Sequence, residues 1–305
     1  MGQKGHLVFV YGTLRKHQYY HDLLQGSELV AEQCWTAGRL FDTGYGYPAL
    51  VHDDRGQVYG EVYRVSDEVL AKLDELEGYY GPGQANEYER VIQTIHGDKG
   101  PWEAFVYIYL KLQKHMPEIT GGDWSVYSYL KEVKEGKPLL YFAYGSCMDD
   151  RRIRKEGLLD RFQGYRPGER KTRAVLKDYR LAFTTPRSDG GRADIVESPG
   201  DVVEGILYRI DEQAWTYLLK REGAWPINSG QPRPFYRPTR VDVEVDGQKV
   251  PALTFTVVDK QEETAPPPHY LEEIIRGAQG ILSQEYLTRF KTSLKEKFDL
   301  DIDHL

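Results

Sequence analysis

Val8-Phe9-Val10-Tyr11-Gly12-Thr13-Leu14 and Tyr141-Phe142-Ala143-Tyr144-Gly145-Ser146-Cys147 are two apolar, strand-like runs that end in nearly the same tetrad, Tyr-Gly followed by a hydroxyl residue. Each reads as a buried strand stopping at a glycine turn. A second matched pair lies downstream: GEVYRVSDEVLAKLDELEG at 60–78 and GILYRIDEQAWTYLLKREG at 205–223 align without a gap. Gly60/Gly205, Tyr63/Tyr208, Arg64/Arg209, Leu73/Leu218, Glu77/Glu222 and Gly78/Gly223 are identical, so a glutamate stands at the same interval after a glycine in both copies. A looser echo follows in Tyr88 with Arg90 and Tyr236 with Arg237. Self-similarity kept in step at both ends of a segment is the mark of a duplicated unit. The chain therefore reads as two copies of one domain, 1–135 and 136–305, divided where a charged run meets the breaker Gly136-Lys137-Pro138.

A length of 305 residues suits two cores rather than one. Forty basic against 47 acidic side chains give a formal charge of -7, which removes the cationic field that phosphate-backbone binding needs and argues against a nucleic-acid partner. The longest apolar run, Ala104 to Leu110, is far short of the ~20 residues that cross a bilayer, and MGQKGHLVFVYG has no signal-peptide core, so no membrane partner and a cytoplasmic location are expected. With only Cys34 and Cys147, no disulfide framework or thiolate zinc cluster can be assembled within the chain. The histidines are scattered without an HExxH pair, and only His17 and His21 share an i, i+4 spacing; no metal site is expected. The 23 tyrosines outnumber Phe and Trp together, a composition suited to pockets with an apolar wall and a polar tip, hence to a small-molecule ligand. Nothing in the sequence fixes the oligomeric state.

Short β-branched and aromatic runs fill the first part of each copy (VFVYGTL, YGEVYRV, RVIQTI, AFVYIYL; YFAYGS, EGILYRI, RVDVEVDG, PALTFTVV), which excludes an all-helical fold. One helix per copy is well marked, opened by the N-caps Ser66 and Asp211 and stopped at Gly78 and Gly223, with Val69, Leu70, Leu73 and Leu76 as the buried stripe of the first. A further C-terminal helix is expected over roughly Tyr270 to Lys297. The expected class is α+β: two tandem copies of a small mixed β-barrel with packed helices.

Glu77 and Glu222 close their helices, where the macrodipole is negative and a cation would be the stabilising choice. Beside aromatic surface such as Tyr79-Tyr80 or Trp225, a carboxylate so placed should have its pKa raised toward neutrality, as a general acid/base requires. The glycine of the tetrad lets successive backbone N–H groups converge on one anionic or carbonyl oxygen. The tetrad lacks the second glycine and the lysine of a phosphate-binding loop. Ser146 or Cys147 could be a nucleophile, but Thr13-Leu14 offers no counterpart thiol and no histidine occupies a shared repeat position to serve as base.

These residues resemble the gamma-glutamylcyclotransferase-like superfamily twice over. VFVYGTLR at 8–15, Tyr47-Pro48-Ala49, GEVYRV at 60–65, LDELEG at 73–78 and YER at 88–90 are similar to the gamma-glutamylamine cyclotransferase branch. YFAYGS at 141–146, Gly190-Gly191 with Ala193 and Ile195, SPGD at 198–201, Glu222-Gly223, and APPPHY with Gly277-Ala278 are similar to gamma-glutamylcyclotransferase proper. The resemblance implies a barrel whose loop binds a gamma-glutamyl group, with one glutamate as general acid/base, releasing 5-oxoproline and an amine or amino acid without a cofactor. It assigns Tyr11, Gly12, Thr13 and Leu14 as the loop and Glu77 as the catalyst of the first domain. Tyr144, Gly145, Ser146 and Cys147 with Glu222 are their counterparts in the second, and Tyr270 lines that pocket. Two departures fall in the second domain: the family usually has Asn where this chain has Cys147, and Asp-Glu where it has Leu219-Lys220. A tandem binding module, or one active and one degenerate domain, are the alternative readings.

Overall fold

The computed structural model describes residues 5–230 and 232–302. The chain divides into two compact units, residues 1–131 with 226–233 and residues 132–225 with 234–305. The first contains β1 (His6–Val10), β2 (Glu28–Ala37), β3 (Arg39–Asp42), β4 (Pro48–Val51), β5 (Gln57–Val65), α1 (Asp67–Leu76), β6 (Tyr88–Gly97) and β7 (Trp102–Tyr109). After α2 (Trp124–Lys134), in which the division falls, come β8 (Leu139–Ala143), α3 (Asp150–Lys155), β9 (Phe162–Gly164), β10 (Thr172–Arg187), β11 (Gly190–Ile210), α4 (Glu212–Glu222), β12 (Tyr236–Val245), β13 (Gln248–Val257), α5 (Pro268–Ala278) and α6 (Gln284–Phe298).

The first unit is a closed barrel in the order β1-β5-β2-β6-β7, with β3 and β4 forming a separate antiparallel pair. Its neighbours are antiparallel except where β1 meets β7, in parallel register at Val8 and Phe105. The second unit repeats the order as β8-β11-β10-β12-β13 and adds β9 along β11; its single parallel pairing joins β8 to β13 at Tyr141 and Leu253. Both units are thus the mixed barrel that the duplicated segments imply, and both have an apolar core: Val8, Leu50, Val62, Leu73 and Val106 in one and Phe142, Ile206, Leu207, Leu218 and Leu253 in the other have no exposed surface. The long apolar run Ala104–Leu110 is mainly β7, buried by barrel closure, and no helix among the described residues is long and apolar enough to cross a membrane.

The repeated glycine at the start of each matched segment has a steric cause. A Cβ on Gly60 would stand 2.3 Å from the Val10 carbonyl oxygen and 2.6 Å from the Phe9 ring, and one on Gly205 would stand 2.4 Å from the Ala143 oxygen and 2.7 Å from the Phe142 ring. The strand carrying the tetrad can approach β5 or β11 this closely only across a glycine.

The helix boundaries follow the caps: Ser66 Oγ accepts from Val69 N at 3.3 Å, Asp211 Oδ1 accepts from Ala214 N at 2.9 Å, and Gly78 and Gly223 end the helices in left-handed conformation at φ 60° and 59°. The expected C-terminal helix over Tyr270 to Lys297 is instead two, α5 and α6. Gly280 turns the chain at φ 71° and Ser283 caps a fresh start. Helix α2 ends just before the breaker Gly136-Lys137-Pro138; its N-cap Asp123 is followed by an apolar face, Trp124, Val126 and Tyr129, that the flanking glycines and charges obscure in the sequence.

Candidate active site

The first cavity, about 160 Å³, lies where β1 runs out into its loop. Tyr11, Gly12, Thr13 and Leu14 form one side, Glu77 and Leu76 from the end of α1 another, and Tyr47, Pro48, Glu87, Tyr88 and Tyr107 close it. Tyr11 fixes the loop by donating its hydroxyl to the Tyr107 carbonyl at 2.6 Å, and Tyr88 donates to the Pro48 carbonyl at 2.9 Å. Among the described residues, the Gly12, Thr13 and Leu14 N–H groups donate to no protein acceptor, while the carbonyls of Gly12 and Thr13 accept from Arg15 N at 3.1 Å and Tyr20 N at 2.9 Å. These N–H groups, on residues that line the cavity, are left unspent by the protein.

A buried ion cluster holds that loop. Arg15 pairs through Nε with Glu61 at 3.1 Å and through Nη1 with Asp123 at 2.7 Å, with all three side chains below a tenth exposed. Glu61 also accepts from Lys16 N at 3.1 Å, and Asp123 caps α2 by accepting from Ser125 N at 2.9 Å. Strand β5, the loop and the start of α2 are thereby locked together.

Burial, with the nearby Glu87 carboxylate adding repulsion, pushes the Glu77 carboxyl up to about 8. Glu87 is half-buried and accepts from the Tyr47 hydroxyl at 3.0 Å; burial first and this bond second raise that phenol to about 12. Gly78 lets the two acids come together: at φ 60° it turns the chain, and a Cβ on it would stand 3.2 Å from Glu87 Cβ. Among the described residues, the cavity lining contains no lysine, arginine or histidine.

The second domain brings the corresponding residues together in a smaller space, about 30 Å³, lined by Tyr141, Tyr144, Gly145, Ser146, Cys147, Ala193, Glu222, Tyr236, Phe255 and Tyr270. The supports repeat: Tyr144 donates to the Phe255 carbonyl at 2.6 Å and Tyr236 to the Ala193 carbonyl at 2.8 Å. The filling differs. Cys147, at the position of Leu14, donates its thiol to Glu222 Oε1 at 3.0 Å, and burial raises that thiol to about 12, leaving it protonated rather than nucleophilic. Arg221, at the position of Leu76, is 9% exposed; its Nε is 3.7 Å from Glu222 and its Nη2 donates to Ser146 Oγ at 3.1 Å. Tyr270, carried in by α5, accepts from Ala193 N at 3.1 Å. This loop is anchored by Asp149, which pairs with Arg276 of α5 at 2.6 Å.

All eleven residues singled out in the sequence thus line one cavity or the other. The echo of Tyr88 and Tyr236 holds for the tyrosines alone: Arg90 pairs with Asp74 at 2.6 Å, whereas Arg237 Nη1 bonds the Pro238 carbonyl at 3.3 Å. Sequence reasoning missed Glu87 and the Arg15 cluster. Glu87 sits in the motif NEYER, directly before the echoed tyrosine, but its counterpart is Phe235, so comparing the copies hides it.

Residues 8–126 match the family model for gamma-glutamyl cyclotransferase, AIG2-like, and residues 202–290 match that of the AIG2-like family. Over 288 residues the chain is 40% identical to YkqA of Bacillus subtilis strain 168, a provisionally named gamma-glutamylcyclotransferase, covering 93% of this chain and 96% of the relative. The crystal structure of YkqA superposes with a TM-score of 0.80 at 39% identity, covering 96% of this chain and 98% of that one. A shorter match, 36% identical over 121 residues, 39% of this chain and 76% of the relative, is to the gamma-L-glutamyl-butirosin B gamma-glutamyl cyclotransferase of Niallia circulans.

Proposed function

The chain belongs to the AIG2-like gamma-glutamyl cyclotransferase family, and from that premise we propose that its first domain cyclises a γ-glutamyl amide with Glu77 as general acid/base, releasing 5-oxoproline and the amine. The observation that carries this reading is the pairing, in one cavity, of a carboxyl raised to about 8 with loop N–H groups that no protein acceptor uses.

In this reading the substrate's α-ammonium enters beside Glu77, and its positive charge draws the carboxyl back to the ionised form. Glu77 takes one proton from the ammonium. The freed amine attacks the γ-carbonyl carbon, forming the ring C–N bond, and the oxyanion is held by the N–H groups of the 12–14 loop. As the scissile C–N bond breaks, Glu77 delivers its proton to the departing nitrogen. The ring nitrogen gives up its second excess proton through the same carboxyl, so two protons in all pass to the leaving group, which departs as an ammonium. Ring closure is intramolecular, so a single positioned carboxyl and a cradle are sufficient machinery.

The second domain has the corresponding parts around a smaller cavity, and its Glu222 is already engaged by Cys147 and Arg221. Those contacts favour a division of labour in which the first site turns over and the second is narrowed or silent. The test is 5-oxoproline release from γ-glutamyl amines and γ-glutamyl amino acids by the wild type, Glu77→Gln and Glu222→Gln. Glu77→Gln is expected to remove the greater part of the activity, by about 10² or more, with Glu222→Gln near wild type. Unaltered release in the double variant would overturn the mechanism.

A further inference from the structure

We propose that Asp74, held in place by Arg90, is a positioning residue of the first site: it takes the Tyr107 hydroxyl proton in a hydrogen bond directed away from the cavity, so that this phenol meets a bound ligand as an acceptor and gives no donor to Glu77. This rests on the cyclisation reading above.

The chain of bonds is continuous. Tyr107, which lines the cavity and is buried, donates its hydroxyl to Asp74 Oδ1 at 2.7 Å. Asp74 Oδ2 accepts from Arg90 Nη1 at 2.6 Å, and the guanidinium lies over the rings of Tyr79 and Phe105 at 4.9 and 4.6 Å. Burial, then the bond to Asp74, then the nearby Glu77 carboxylate hold the phenol well above its ordinary value, so the proton stays on it. A phenol has one proton to give, and with that proton committed to Asp74 only the oxygen lone pairs remain for the cavity. Tyr11, Tyr47 and Tyr88 likewise donate to other partners, the Tyr107 carbonyl, Glu87 and the Pro48 carbonyl. One wall of the cavity therefore accepts, while the loop at residues 12–14 carries the donors. The separation matters for Glu77, because a donor bonded to a carboxylate stabilises its ionised form and weakens it as a base. A phenol oxygen kept as acceptor takes one N–H of the substrate's ammonium while Glu77 takes the proton of another.

The other copy supplies an internal control. Asp74 stands three residues before Glu77, and Leu219 three before Glu222. Tyr107 corresponds to Phe255, since the carbonyl of each accepts from its loop tyrosine at 2.6 Å. Arg90 corresponds to Pro238, each three residues beyond a backbone N–H, of Glu87 or Phe235, that bonds the Gly78 or Gly223 carbonyl at 3.1 or 3.3 Å. All three members are replaced by apolar residues, yet the second barrel keeps the strand order, and Trp215 stacks on Phe255 with centroids 5.3 Å apart. The fold therefore does not call for the polar chain. Where it is missing, the glutamate has a donor, the Cys147 thiol at 3.0 Å; where it is present, Glu77 has no side-chain donor among the described residues.

Asp74→Asn keeps the shape and reverses the bond: arginine only donates, so the single amide oxygen goes to Arg90 and the NH2 turns to Tyr107, whose proton is released to the cavity. The experiment uses the full chain with Glu222→Gln, so that only the first site reports, and the member of the γ-glutamyl panel that it releases fastest. In Asp74→Asn the pH at which kcat/KM rises is expected to fall by about one unit, and the high-pH plateau by about tenfold. Asp74→Leu, the residue of the other copy, frees the same proton by another route and should move the rise in the same direction. In a Tyr107→Phe background, adding Asp74→Asn is expected to produce no further shift. An unmoved rise in the folded Asp74 variants overturns the inference. So does an equal shift in the Tyr107→Phe background, which would assign Asp74 to a direct effect of its charge. Release from no panel member by the folded Glu222→Gln protein overturns the cyclisation reading itself, and the inference with it.

Discussion

The Cys147 thiol donates to the Glu222 carboxylate at 3.0 Å, whereas at the matching place in the first domain Leu14 leaves the Glu77 carboxyl without a side-chain donor among the described residues. A leucine cannot hydrogen-bond, so the same glutamate of the same repeat is engaged in one barrel and open to a ligand in the other. Arg221 in place of Leu76 acts in the same sense by bringing a cation to Glu222. In a Glu77→Gln background, Cys147→Leu with Arg221→Leu gives the second site the first site's residues. The combination is expected to raise 5-oxoproline release above that of Glu77→Gln alone, measured over a panel of γ-glutamyl substrates.

The pH dependence of the first site follows from its carboxyl. Burial first and Glu87 second raise Glu77 to about 8, and the base needed to deprotonate the substrate is its ionised form. The kcat/KM of a Glu222→Gln protein should therefore rise with pH through about 8, since this parameter reports the free enzyme. Glu87→Gln removes the repulsion and should move the rise to lower pH. A rise centred near the ordinary carboxylate range would count against Glu77 as the base.

The same shift makes Glu77 costly to the fold at high pH. Its folded-state pKa, about 8 against an ordinary 4.5, means that the native state binds the proton more tightly than the unfolded chain. Its contribution is thus fully present below about 4.5 and lost as pH rises through about 8. Glu77→Gln should melt close to wild type at pH 4 and above it at pH 9, by the equivalent of roughly 2–4 kcal/mol for a cavity that water still reaches. Thermal melts across pH give the comparison.

Arg15 is expected to be structural for the loop and dispensable to the chemistry. Arg15→Leu strands Glu61 and Asp123 as buried charges and should cost about 3–5 kcal/mol. The loss should appear as a lowered melting temperature at neutral pH, with the pH profile of turnover unchanged.

Gly60→Ala and Gly205→Ala test the close approach of strands. Each adds a methyl within 2.4 Å of a carbonyl oxygen, and each should destabilise its barrel by about 1–3 kcal/mol or more. Chemical denaturation of the full chain should show one of two transitions shifted, the first for Gly60 and the other for Gly205.

The sequence alone determined the duplication, the α+β class, the helix boundaries at Ser66, Gly78, Asp211 and Gly223, and the pairing of each tetrad with a glutamate. These are properties of local pattern. A strand alternates, a cap precedes its helix, a left-handed stop calls for glycine, and two copies of such a pattern expose each other. The break between α5 and α6 is also local, but its signal is weak, and the pattern alone reads as one continuous helix. Tertiary structure alone decided which charges meet. Arg15, Glu61 and Asp123 are far apart in the chain and come together only when the barrel closes. Glu87 reaches Glu77 only because Gly78 folds the chain back, and it was invisible to repeat comparison because Phe235 replaces it. The volumes of the two cavities and the protonation of Glu77 belong to no single residue, since each sums the packing of many side chains around one point. A short stretch of sequence carries no record of that sum.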